Sequence, residues 1–152
     1  MKTKRENYRY DAVGLPGITL KDIEVSRCQK CGEYEVAIPQ IEDLHRTIAR
    51  AVISKRERLT SAEIRFLRKF LGWSGADFAA HVGTTPETVS RWENGGTPMG
   101  VTADRLLRLM IAVGQPKADY SLDTLKVVAR LSPKPLRLGV RVSDGHWEAV
   151  AA

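Results

Sequence analysis

Residues 74–95, SGADFAAHVGTTPETVSRWENG, constrain this chain more than any other stretch. Gly83, Thr84, Thr85 and Pro86 follow one another in its middle. Glycine adopts positive φ without steric cost, so Gly83 ends a helix expected over 76–82, for which Ser74 is the N-cap candidate. Thr84 or Thr85 caps a second helix, and Pro86 falls in its first turn, where a missing N–H does no harm. Gly95 and Gly96 end that second helix near Asn94. The sequence therefore specifies two short helices and a tight turn.

The faces agree with this reading. Phe78, Ala79 and Val82 line one side of the first helix, and Val89 and Trp92, at i and i+3, line the inner side of the second. Thr85, Glu87, Thr88, Arg91 and Asn94 are left to face outward. Periodicity alone fits a plain helical hairpin with a solvated face as well as it fits a nucleic-acid reader. Residue types and spacing together add more. Leu71-Gly72-Trp73-Ser74, Asp77-Phe78-Ala79, Val82-Gly83-Thr84-Thr85, the run Thr88-Val89-Ser90-Arg91-Trp92-Glu93-Asn94-Gly95, and Pro98 resemble the Xre/Cro-type helix-turn-helix of phage repressors and many antitoxins. The resemblance implies a homodimer that presents its second helices to successive major grooves of a palindromic operator in double-stranded DNA. On it, Thr85, Pro86, Glu87 and Arg91 match the base-meeting positions. Arg91 suits guanine O6 and N7, and Glu87 suits cytosine N4. Ser74, Thr84, Thr88 and Asn94 suit phosphates.

Charge points the same way. The 152 residues carry 24 Lys+Arg against 18 Asp+Glu, a formal +6, which favours polyanionic partners. No apolar run approaches the roughly 20 residues of a membrane helix. The basic start MKTKRENYRYD lacks the apolar run of a secretory signal, so a cytoplasmic, nucleoid-associated protein is expected. No histidine or carboxylate pair has catalytic spacing and there is no glycine-rich phosphate loop, so an enzyme is not expected.

Residues 1–38 read as a small β-rich segment. Tyr8-Arg9-Tyr10 suggests a strand, residues 14–17 a turn, and Ile18, Leu20, Ile23 and Val25 a second strand with a slip near Asp22. Tyr34, Val36 and Ile38 alternate on a third. Between the last two stand Cys28 and Cys31, spaced C-x-x-C and followed by Gly32, which is half of a zinc-ribbon site. Tetrahedral zinc needs four ligands. Three readings follow: a knuckle without metal, zinc shared with a second chain or completed by other ligands, and redox chemistry.

Residues 39–58 read as a connecting amphipathic helix with Ile41, Leu44, Ile48, Ala51 and Val52 at helical spacing. Thr60-Ser61-Ala62-Glu63 is a capping box. Ile64, Leu67, Phe70 and Leu71 form the stripe of the helix that it starts. Beyond Gly96, Thr102 is expected to cap a helix with Leu106, Leu107, Met110 and Val113 on its apolar side, and Ser121 a last one reaching Leu131. This makes five helices over 59–131. In 132–152, Pro133 and Pro135 exclude helix, and alternation about Asp144-Gly145 predicts a hairpin. The fold expected is α+β, mainly α: a five-helix Xre/Cro-type domain between a small N-terminal β segment and a C-terminal β-hairpin tail.

With Cys28-Gln29-Lys30-Cys31-Gly32-Glu33, Ile38-Pro39, Leu44-His45, Leu59-Thr60 and Glu63-Ile64-Arg65-Phe66-Leu67-Arg68 included, most of residues 8–131 resembles the MqsA/YgiT-type antitoxin and regulator family, whose zinc-ribbon module precedes an Xre-type domain. The resemblance implies an autorepressor of a toxin–antitoxin operon with a toxin protein as partner. The chain departs from it by lacking the first C-x-x-C, which puts zinc and toxin binding in question. A stand-alone redox- or metal-responsive regulator using Cys28 and Cys31 is the alternative.

Overall fold

A computed structural model describes residues 1–114 and 132–152. In chain order the described elements are β1 (Lys2–Arg9), β2 (Ile18–Arg27), β3 (Tyr34–Ala37), α1 (Ile41–Ser54), α2 (Ser61–Phe70), α3 (Gly75–Val82), α4 (Pro86–Glu93), α5 (Val101–Val113), β4 (Leu138–Ser143) and β5 (His146–Val150). They form two compact units. One holds Met1–Ile48 with Arg137–Ala152, the other Ala49–Leu136.

The first unit is built on β2. Its buried residues are Ile18, Leu20, Ile23 and Val25, so the alternation slips by one residue in the middle. The slip is a bulge. The β1–β2 register shifts between Glu6 and Tyr8, and Asp22 takes φ 51°. One edge of β2 is covered along its length by antiparallel β1. The other edge is shared. Glu24–Arg27 pair antiparallel with β3, while Ile18, Thr19 and Leu20 pair in parallel with Leu138, Gly139 and Val140 of β4. β5 then pairs antiparallel with β4 through a turn at Asp144 and Gly145, both at positive φ, as a two-residue type I′ hairpin requires.

The start of α1 is fastened to this sheet. Trp147 donates from its backbone N–H to Asp43 Oδ2 (2.8 Å) and from its indole to the Pro39 carbonyl (2.6 Å). Tyr10 Oη lies 2.9 Å from His45 Nε2, and burial lowers the His45 pKa from its ordinary value.

Two expectations change here. The hairpin forms where alternation placed it, but it is a working edge of the same sheet rather than a separate tail. The first strand spans Lys2–Arg9, far more than Tyr8–Tyr10, because KTKREN is charged on both faces and carries no alternating signal. The sheet is therefore a larger share of the fold than a mainly α reading allows.

The second unit packs α2 to α5 on Ile64, Phe66, Leu67, Phe78, Ala79, Val89, Trp92, Leu107 and Ile111. The capping box at α2 forms as expected: Thr60 Oγ1 accepts from Glu63 N–H and Glu63 Oε2 from Thr60 N–H. Glu63 is 1% exposed, and its carboxylate also meets Lys55 Nζ (2.6 Å) and the Leu136 N–H (3.1 Å). The buried side of α5 differs from the expected stripe. Asp104, Leu107, Arg108 and Ile111 face in, while Val113 is 77% exposed. Gly100, not Thr102, is its N-cap. Arg108 is tolerated inside because every arm is used. Nε pairs with Asp104 Oδ1 (2.7 Å), and the terminal nitrogens donate to the carbonyls of Ile53, Lys55 and Glu57. The helix expected after Ser121 lies outside the described residues.

Candidate nucleic-acid interface

α3 and α4 are short helices with complete ends. Ser74 and Asp77 form a reciprocal capping box at the start of α3, and Gly83, at φ 71° and ψ 38°, closes it in the left-handed region. Thr85 caps α4 by accepting from the Thr88 N–H, and Pro86 occupies its first turn. The two helices are held by an aromatic core. Phe78 meets Trp92 edge-on at 6.1 Å, and Trp73 stacks on both Phe78 and His81, the latter at 3.8 Å between ring centroids. The His81 ring is further fixed by its Nδ1, 2.7 Å from the Asp77 carbonyl oxygen.

With Val89 and Trp92 turned inward, α4 shows an outer face of Thr85, Pro86, Glu87, Ser90 and Arg91. Glu87 and Arg91 lie one turn apart, a spacing that commonly makes an ion pair. Among the described residues neither makes a side-chain hydrogen bond or a salt bridge, so both forks remain available to a ligand.

The polar residues around them divide by how much of their hydrogen-bonding capacity is spent. Thr88 Oγ1 lies 3.0 Å from Thr85 Oγ1. Ser74 Oγ donates to Asp77 Oδ2 and accepts from the Asp77 N–H. Thr84 is half-buried and its hydroxyl has no partner among the described residues. Asn94 is the most committed: Oδ1 accepts from Arg65 (2.8 Å) and Nδ2 donates to Ser90 Oγ (3.1 Å). The structure thus places Thr85, Pro86, Glu87 and Arg91 among the exposed residues of α4 and its cap, with Thr88 half-buried beside them, Thr84 in the turn before and Ser74 at the start of α3.

A second set of residues fixes the angle of α4. Arg68 on α2 grips the Glu93 carboxylate with Nε and, at 3.2 Å, its second terminal nitrogen, and donates to the Trp73 carbonyl at 2.8 Å. Arg65, one turn earlier, donates to the Glu93 carbonyl (3.1 Å). In the sequence these arginines stand on the outer faces of an amphipathic helix and give no sign of a partner in α4. The one available signal was Glu93, an acidic residue at the C-terminal end of a helix, where the dipole disfavours it unless a cation answers.

Cys28 and Cys31 stand apart from this surface in sequence, in the turn between β2 and β3. Among the described residues no three His, Cys, Asp or Glu side chains are grouped so as to hold a metal ion. Nor is any described helix long and apolar enough to cross a membrane.

Comparison with known proteins places the described geometry. A family model described as helix-turn-helix matches residues 64–112, which span most of α2 through most of α5. The match covers about a third of the chain and supports a DNA-binding helix-turn-helix of the kind found in transcription regulators. No curated protein and no solved structure matches the chain.

Proposed function

We propose that this protein is a sequence-specific transcriptional repressor that reads its operator with α4. The observation that carries the reading is Glu87 and Arg91, side chains without a partner among the described residues, on the outer face of a helix whose inner face is locked by Val89, Trp92 and the Arg68–Glu93 clamp. A rigid helix with uncommitted forked side chains is what base readout in the major groove demands, because each bidentate contact needs its geometry set in advance.

Arg91 takes guanine and Glu87 takes cytosine. Thr85 and Pro86, at the N-terminus of α4, meet the neighbouring base edges, Pro86 by apolar contact. Thr84, Thr88 and Ser74 face phosphates, the last from the N-terminus of α3, where the helix dipole favours an anion. Asn94 contributes by fixing Arg65. The protein acts as a homodimer on a palindrome with half-sites about one helical turn apart. The matching Xre-type domain and the sequence resemblance support an autorepressor of a toxin–antitoxin operon, with the toxin as a second partner.

The test is selection of bound duplexes from a random pool by the full chain, followed by footprinting on the DNA upstream of its own gene. A two-fold symmetric consensus present in that DNA is expected. Enrichment of no sequence above background would remove the repressor reading. Copurification with the product of the neighbouring gene separates an antitoxin from a stand-alone repressor.

A further inference from the structure

Turn 28–33 is closed by two backbone hydrogen bonds, from Cys28 N–H to the Glu33 carbonyl (2.8 Å) and from Gly32 N–H to the Cys28 carbonyl (3.1 Å), with Gly32 at φ 77°. Both thiols are free; Cys28 is half-buried and Cys31 exposed. The closed turn and the C-x-x-C spacing put both cysteines on one short loop, three residues apart. The Cys31 thiol donates to Glu33 Oε2 at 3.7 Å. The turn therefore carries a half-buried thiol and, three residues on, an exposed thiol beside a carboxylate. A closed zinc site needs four such ligands, and among the described residues this pair gains no third.

We infer that Cys28 and Cys31 are a reversible dithiol–disulfide pair that exchanges with low-molecular-weight disulfides such as glutathione disulfide, and not half of a zinc centre. The Cys28 thiolate attacks one sulfur of the incoming disulfide, forming a mixed disulfide and releasing one glutathione thiolate, which takes a proton from solvent. Cys31 gives its proton to Glu33 or water, and its sulfur attacks the Cys28 sulfur. The Cys28–Cys31 bond forms, the mixed disulfide breaks, and the second glutathione leaves as thiol. The pair is oxidised by two electrons and one glutathione disulfide is reduced to two glutathiones.

The experiment uses the full chain, equilibrated in glutathione mixtures from fully reducing to fully oxidising, quenched by alkylation and weighed by mass spectrometry. Zinc is measured in the same preparation before any chelator is added. The expected result is loss of both thiols together, giving a monomeric chain lighter by two hydrogens, with zinc well below one per two chains. Cys31→Ser is expected to accumulate a glutathione adduct at Cys28. Should that variant fail to fold, the wild-type titration decides alone. Thiols that stay reduced in every mixture, disulfide-linked dimers, or zinc bound at one per chain or one per two chains would each overturn the inference.

Discussion

Glu93 closes α4 by reaching across to α2, where Arg68 holds both of its carboxylate oxygens. The pair is largely out of solvent, with side-chain exposures of 14% for Arg68 and 8% for Glu93. Its value lies less in net attraction than in what removal of one partner leaves behind. Arg68→Met keeps the apolar stem but strands the Trp73 carbonyl and leaves the Glu93 carboxylate with the more distant Arg65 Nε at 3.9 Å. Urea unfolding is expected to show a loss of about 3 kcal/mol. Glu93→Gln, which keeps an acceptor for Arg68, is expected to lose clearly less. Equal losses would mean that the clamp is not a buried pair.

The Arg91 side chain has no hydrogen-bond or ionic partner among the described residues, so its replacement separates stability from recognition. Arg91→Ala is expected to leave the unfolding midpoint within about 0.5 kcal/mol. It should cost about 1–3 kcal/mol at the base pair that it reads and relax preference there. Binding titrations on the selected operator and on random duplex check this. A uniform loss on both, with a shallower salt dependence, would reassign Arg91 to a phosphate.

The helix-turn-helix was legible because its information is local. Gly83, Pro86, the Ser74 cap and the Thr60–Glu63 box each settle a helix end within a few residues, and Phe78, Val89 and Trp92 settle the faces; the Asp77 half of the Ser74 box and the choice of Thr85 over Thr84 came from the structure. The slip at Asp22 was legible for the same reason, since Leu20 and Ile23 break the period of two. What escaped was pairing over long range. Nothing within 18–20 or 138–140 states that these segments lie side by side in parallel. Polar burial escaped as well: Arg108 reads as a surface residue until Asp104 and the carbonyls of Ile53, Lys55 and Glu57 are found around it. In the interface, the outward residues of α4 could be read from spacing. That Glu87 and Arg91 would leave each other unpaired, while Asn94 was already engaged, depended on side-chain geometry.

Gly83 tests the turn without touching its packing. A Cβ added there meets nothing within 4 Å, yet φ is 71°. Any penalty for Gly83→Ala is therefore backbone strain, about 1 kcal/mol in unfolding free energy. A stabilised variant would show that the turn does not need the left-handed conformation.

Asp77 gives the domain a pH signature. Its carboxyl is held below the ordinary range, first by the Ser74 backbone N–H and then by the Ser74 hydroxyl. A folded-state value below the unfolded one stabilises the fold above about pH 4, the ordinary aspartate range. That contribution is lost as pH falls through the folded value. Asp77→Asn should thus lower the unfolding midpoint at neutral pH, and its deficit against the wild type should shrink on acidification below about pH 4. A deficit that is constant with pH would mean that the capping box does not depend on the charge.

Gly139 tests the parallel junction of β4 with β2, the contact that brings the C-terminal hairpin into the sheet. It is buried, opposite Thr19 on one side and Val150 on the other. A Cβ there would stand 2.7 Å from the Ala151 carbonyl oxygen, 2.9 Å from Lys21 Cε and 3.1 Å from Val150 Cγ2. The lysine tip can swing away, but the carbonyl belongs to the backbone that follows β5 and can move only with the chain itself. Gly139→Ala is expected to cost about 1–3 kcal/mol by overpacking and to speed amide exchange in β4 and β5 relative to β1. Exchange left unchanged in those strands would show that β4 does not approach β2 at this register.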